Sequence, residues 1–101
     1  MRMDFDIDDL DDVIHGRLRL GVMAYLAAAD VGSFAELKAR LKAADGNLSV
    51  QLHKLEAAGY VALERGFRGK RPHMTVRLTP KGRDAFRSYI STLSKLVNDG
   101  D

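Results

Sequence analysis

Tyr60-Val61-Ala62-Leu63-Glu64-Arg65-Gly66-Phe67-Arg68-Gly69-Lys70-Arg71-Pro72-His73-Met74-Thr75-Val76-Arg77-Leu78 is the stretch on which the reading of this chain turns. Tyr60 to Glu64 has the composition of a strand, and His73 to Leu78 alternates as a second strand does. Between them Gly66 and Gly69 permit positive φ and Pro72 stiffens the return, so the two strands are expected to pair antiparallel around a turn. From Arg65 to Arg83 the chain carries seven basic residues and no acid: Arg65, Arg68, Lys70, Arg71, Arg77, Lys81 and Arg83.

Working outward, the segment just upstream reads Leu48-Ser49-Val50-Gln51-Leu52-His53-Lys54-Leu55-Glu56-Ala57-Ala58, with Leu48, Leu52 and Leu55 in one narrow stripe at helical spacing and Gly59 as a stop. Its other faces carry Asn47, Ser49, Gln51, His53 and Lys54, so this third helix is expected to sit on the domain rather than inside it. Ser33 and Glu36 have capping-box spacing and open a second helix running to about Lys42, with Phe34, Leu37 and Leu41 facing inward. Ala43-Ala44-Asp45-Gly46 is the connection, and Asp45 or Asn47 is expected to cap the third helix. In the first helix Ile14, Leu18, Val22 and Leu26 recur at spacing four; Asp8 to Asp12 are expected to open it, and Gly16 and Gly21 weaken it slightly. A short strand near Val31-Gly32 is placed to pair with the inner edge of the hairpin. Downstream, Thr79 caps a last helix with Pro80 at its first position. The fold class is mainly α with a small β-hairpin, in the order helix, helix, helix, strand, strand, helix. The chain divides into an acidic N-terminal segment (1–12), one domain (13–97) and a tail (98–101).

A chain of 101 residues with a hydrophobic fraction of 46% is expected to form one domain with a real core. The absence of cysteine excludes disulfides and thiolate metal sites. No apolar run approaches membrane-spanning length, since Arg17 and Arg19 interrupt the first candidate, and the acidic N-terminus does not read as a signal peptide. A cytoplasmic protein with no membrane partner is expected. The net charge of +2 conceals an asymmetry: residues 1–12 hold six Asp and one Arg, whereas residues 15–97 hold fifteen Lys and Arg against six acids. Such a basic body favours polyanions, nucleic acid among them.

The polar face of the third helix carries the chemistry that reads base edges. Asn47 and Gln51 can each make a bidentate contact with adenine, His53 and Lys54 can donate to guanine acceptors, and Val50 can meet a thymine methyl. Arg68, Lys70 and Arg71 are dense beside two glycines with no acid among them, as phosphate contacts require, and Arg71 before Pro72 suits a narrow minor groove. Arg17 and Arg19 can serve either phosphate contact or salt bridges with the N-terminal acids, and the salt bridges are the preferred reading. Catalysis finds no support. His15, His53 and His73 lack metal-ligand spacing, no base is placed beside Ser33 or Ser49, and no cofactor is implied.

Asn47-Leu48-Ser49, the run Leu52-His53-Lys54-Leu55-Glu56-Ala57-Ala58-Gly59-Tyr60-Val61, Arg71, and Val76-Arg77-Leu78-Thr79-Pro80-Lys81-Gly82-Arg83 together resemble the winged-helix transcriptional regulators of the MarR/ArsR type, above all the small stand-alone ones with an Arg-Pro wing. The resemblance covers Gly16 to about Leu93. It implies a winged helix-turn-helix fold and a sequence-specific regulator that binds double-stranded DNA as a homodimer. The third helix would enter the major groove while the hairpin touches the minor groove or its phosphates. Carried over residue by residue, the groove positions are Asn47, Ser49, Val50, Gln51, His53 and Lys54, and the wing positions are Arg68, Lys70 and Arg71. ArsR-type metal sensors carry cysteine or clustered histidine and carboxylate ligands, and this chain has no cysteine.

A dimer is expected to form through apolar residues in excess of one small core: Val13, Leu20 and Tyr25 near the first helix, and Phe86, Tyr89, Ile90, Leu93 and Leu96 on the last. No effector pocket is legible. A repressor is the simplest regulator, since blocking polymerase needs no activating surface. Two alternatives stand beside it: a winged helix that docks protein through its third helix, and a metal-responsive regulator working through its histidines.

Overall fold

The computed structural model describes residues 6–98; the first five residues of the acidic segment and residues 99–101 of the tail lie outside the described residues. Four helices and three strands follow in order: α1 (Arg17–Ala29), β1 (Val31–Ser33), α2 (Phe34–Leu41), α3 (Asp45–Ala57), β2 (Val61–Arg68), β3 (Arg71–Leu78) and α4 (Pro80–Asn98). The expected mainly helical architecture with one hairpin is therefore present. Among the described residues no helix is long and apolar enough to cross a membrane.

The first helix starts later than the aspartates suggested. Ile7–Asp9 form a single 3-10 turn, and Asp11 Oδ1 accepts from the backbone N–H groups of Val13 and Ile14, closing another turn. Gly16 is extended (φ −161°, ψ 140°) and interrupts the spacing-four pattern, so α1 opens only at Arg17, with no acid in its first turn. Leu10 and Ile14 are nevertheless buried, and the segment is part of the packed body.

Local chemistry accounts for most other boundaries. Ser33 Oγ accepts from Glu36 N at 3.0 Å while Glu36 Oε1 accepts from Ser33 N at 3.2 Å, completing the capping box. The helix ends at Lys42, whose φ of 53° is left-handed. Neither Asp45 nor Asn47 caps α3, because the connection is so short that Asp45 is already helical; Ala44 holds the cap position and Asp45 pairs instead with Lys38 at 2.8 Å. At the far end Thr79 Oγ1 donates to the Gly59 carbonyl at 2.7 Å and accepts from Gly82 N at 2.9 Å, tying the end of α3 to the start of α4.

The sheet is antiparallel in the order β1-β3-β2. Val31, Gly32 and Ser33 face Arg77, Val76 and Thr75. The hairpin strands run further than their composition indicated, down to an Arg68–Arg71 pair, leaving Gly69-Lys70 as the whole turn. Gly69 takes positive φ (65°), but Gly66 does not; it lies within β2 opposite His73. Only the base of the hairpin is buried, at Val61, Val76 and Leu78, and β2 is exposed from Glu64 onward.

The core is built from the α1 stripe (Val22, Met23, Leu26), Leu37 of α2, the α3 stripe (Leu48, Leu52, Leu55) and the sheet base. Tyr89 of α4 joins it at 1% exposure and its hydroxyl hydrogen-bonds His15 Nδ1 at 2.8 Å. This corrects its assignment to a dimer surface: Tyr89 belongs to the chain's own core, because the helix rotates that face onto α1. Val13, Leu20, Tyr25, Phe86 and Leu93 pack half-buried around the core, while Ile90 and Leu96 are more than 40% exposed.

Candidate nucleic-acid interface

The polar side of α3 is organised by hydrogen bonds along and beside the helix. Gln51 Nε2 donates to Asn47 Oδ1 one turn earlier, at 3.0 Å. Gln51 Oε1 accepts from Arg19 Nη1 of α1, and Arg19 Nε donates to the Val13 carbonyl at 2.6 Å. Arg19 therefore serves α3, and among the described residues it forms no ion pair with the N-terminal aspartates. His53 bonds the Ser49 carbonyl through Nδ1 at 2.7 Å. A carbonyl only accepts, so Nδ1 carries the proton and Nε2 offers its lone pair, which faces Arg65 Nη2 at 3.4 Å. Val50 and Lys54 are exposed, Val50 at 52%.

Pleating explains what the hairpin contributes. Successive residues alternate faces, so Val61, Leu63, Arg65 and Phe67 share the core side with Leu78, Val76, Met74 and Pro72. Past the buried base this face becomes one wall of an open cleft of about 760 Å³. Phe67, Pro72 and Met74 line the cleft on the hairpin side, Phe34 and Ala35 of α2 line it too, and Asp45, Gly46 and Ser49 of α3 complete the lining. Phe67 is 75% exposed. Arg68 and Arg71 stand across from each other at the tip, on the other face, with Lys70 in the turn between them. Like charges directly opposed on paired strands repel. Among the described residues none of these three cations forms an ion pair, though Arg68 is near enough to Glu36 to contribute to holding that carboxyl below its usual range, behind hydrogen bonds from Tyr25 and Ser33. Arg77 and Arg83 are paired, with Glu64 at 3.1 Å and with Asp30 respectively.

The structure thus brings all six α3 positions to one helix beside the hairpin and sets the three wing cations at its tip. Sequence reading did not place Arg19, Arg65 or Phe67 beside α3. The alternation Val61, Leu63, Arg65, Phe67 was a signal for the last two; Arg19 meets a residue 32 positions away, and nothing local announces that contact.

Behind α3 the N-terminal segment is clamped by a hydrogen bond from the Tyr60 hydroxyl to Asp11 Oδ2. Burial, with the Asp11 carboxylate beside it, pushes the Tyr60 phenol up to about 12. Among the described residues no three His, Asp or Glu side chains stand together as a metal ion needs.

Comparison with known proteins places this geometry. An uncharacterised protein of Methanocaldococcus jannaschii is 32% identical over 84 residues, which is 83% of this chain and 91% of that one. Among solved structures, a transcriptional regulator homologue from Pyrococcus horikoshii superposes with a TM-score of 0.81 at 25% identity, covering 88% of each chain. BldR from Sulfolobus solfataricus, described as a transcriptional regulator, shares the fold at a TM-score of 0.66 and 24% identity over 92% of this chain and 62% of its own. The model of the winged helix DNA-binding domain matches residues 18–97, from the second residue of α1 to the penultimate residue of α4. With the α2–α3 pair, the basic hairpin and the flanking helices all in place, the chain belongs to the winged-helix DNA-binding domain family.

Proposed function

We propose that this protein is a sequence-specific transcriptional regulator, working as a homodimeric repressor, in which α3 enters the major groove of double-stranded DNA and the hairpin lies along the minor groove or its phosphates. The observation that carries the reading is the juxtaposition of α3 and the hairpin across an open cleft: Asp45, Gly46 and Ser49 of α3 face Arg65, Phe67, Pro72 and Met74 of the hairpin, whose tip carries the cations Arg68, Lys70 and Arg71. One duplex can then meet donors and acceptors on the helix and positive charge on the hairpin together. The regulatory role takes support from the descriptions of the Pyrococcus horikoshii and Sulfolobus solfataricus proteins. The dimer takes support from α4, which leaves Ile90 and Leu96 uncovered beside half-buried Phe86 and Leu93. A two-fold partner doubles the bases read.

Selection of bound duplexes from a random library tests this. A palindromic motif is expected, with affinity falling by roughly 0.9 log units per log of salt for each phosphate neutralised. Failure to enrich any duplex overturns the reading, and a monomer in sedimentation at micromolar concentration overturns the dimer. One observation favours protein docking as a second reading: the cleft is lined by exposed Phe67 with Pro72 and Met74. Docking through apolar side chains would barely respond to salt.

A further inference from the structure

The contacts of Arg19 alter what α3 offers a base. Arginine only donates, so the Gln51 atom it meets must be the carbonyl oxygen. That leaves Gln51 Nε2 toward Asn47, whose contacting atom must in turn be its oxygen. Chemistry alone thus fixes the orientation of both amides. Each oxygen is engaged inside the relay, and the polar hydrogens left over are both on Asn47 Nδ2 and one on Gln51 Nε2. A second lone pair remains on each oxygen. A bidentate adenine contact, however, needs an amide to turn its oxygen and nitrogen to one base edge together. Gln51, held at one end by Arg19 and at the other by Asn47, cannot do so, and the Asn47 oxygen is turned along the helix. Arg19 is itself anchored by its bond to the Val13 carbonyl at 2.6 Å. Gly16 makes room for it, since a Cβ there would stand 2.5 Å from Arg19 Nη2.

Building on α3 as the major-groove reader, we propose that Arg19 is a positioning residue that makes Asn47 and Gln51 present N–H donors to a base, in place of a paired amide oxygen and nitrogen. That pair selects guanine, with its O6 and N7 acceptors, over adenine. Arg19 acts through Gln51, without touching the base.

The test compares wild type, Arg19→Met and Gly16→Ala. Gly16→Ala keeps the charge and the extended backbone, which any residue adopts, and displaces only the guanidinium. Gln51→Ala first marks the base position whose preference depends on the pair. At that position the wild type is expected to favour guanine over adenine by about 5- to 100-fold. Replacing that guanine with 7-deazaguanine, which lacks the N7 acceptor, should weaken wild-type binding. In Arg19→Met and Gly16→Ala, both checked for unchanged thermal melting, the preference should shift to adenine or vanish, and 7-deazaguanine should no longer matter. Adenine preference in the wild type would overturn the inference. So would an unchanged guanine preference in both variants, or a uniform loss across all duplexes in Arg19→Met, which marks a phosphate contact. If the wild type enriches no duplex, α3 as a DNA reader falls and the inference falls with it. Enrichment with base preferences indifferent to Arg19 and Gly16 sinks the relay alone.

Discussion

Helix α3 and the hairpin tip are both polar, and both are exposed, but they are built on opposite principles. On α3 the side chains are spoken for: Asn47, Gln51 and His53 hold hydrogen bonds to neighbours on the helix, and Arg19 and Arg65 reach in from α1 and β2. At the tip Arg68 opposes Arg71 across the strands, with Lys70 beside them. The first arrangement fixes donors and acceptors in place, as reading bases requires. The second leaves charge concentrated and uncompensated by carboxylates within ion-pair distance among the described residues, as gripping a phosphate chain requires. On the proposed function, discrimination and affinity would therefore be housed separately.

The largest blow to this division strikes the joint that both regions share. A Cβ on Gly82 would overlap the Tyr60 carbonyl, a backbone atom that cannot step aside. Gly82→Ala is expected to cost about 1–3 kcal/mol or more in urea denaturation and to impair helix and hairpin alike. Next, replacing Arg68, Lys70 and Arg71 by alanine should weaken every duplex to a similar extent and lower the salt slope by about 2 to 3 units, leaving base preferences intact. A change in preference would merge the two regions functionally. Gln51→Ala should do the converse, blunting discrimination at one position by about 1–3 kcal/mol in competition binding with the salt slope unchanged.

The smallest effect sharpens the picture behind α3. Removing the Tyr60 hydroxyl by Tyr60→Phe loses the bond to Asp11 and should cost about 1 kcal/mol in denaturant melts near neutral pH. The folded-state phenol, at about 12, lies above the ordinary 10.0, so the folded protein holds that proton more tightly than the unfolded chain. This contribution is complete below pH 10 and disappears as pH rises toward 12. Wild-type stability should fall through that window, and the Phe variant's should fall less.

Much of the fold was legible because its signals are local. Ser33 with Glu36, Thr79 with Pro80, and the Leu48-Leu52-Leu55 stripe act over a few residues, and the hairpin is written in alternation and in Gly69, although Gly66 proved to be a strand residue. What escaped depends on distance or on competition. The start of α1 was obscured because Gly16 and the Asp11 turn overrode an apolar repeat that continues through them. Tyr89 carries the same apolar signal as Ile90, and only the docking of α4 on α1 decides that one is buried and the other exposed. That the six α3 positions lie off the buried stripe was legible from its Leu48-Leu52-Leu55 spacing, whereas the Arg19 bond that orients two of them was not.

Thr79 clasps Gly59 and Gly82, and Gly82 presses on the Tyr60 carbonyl. That knuckle makes α4 a lever whose 19 residues span about 28 Å. A tilt of roughly 5° at the knuckle would swing its far end by about 2.5 Å on that length. In any assembly of two copies held by their fourth helices, the stiffness of this small hinge would govern how far apart, and at what mutual angle, the two third helices are carried.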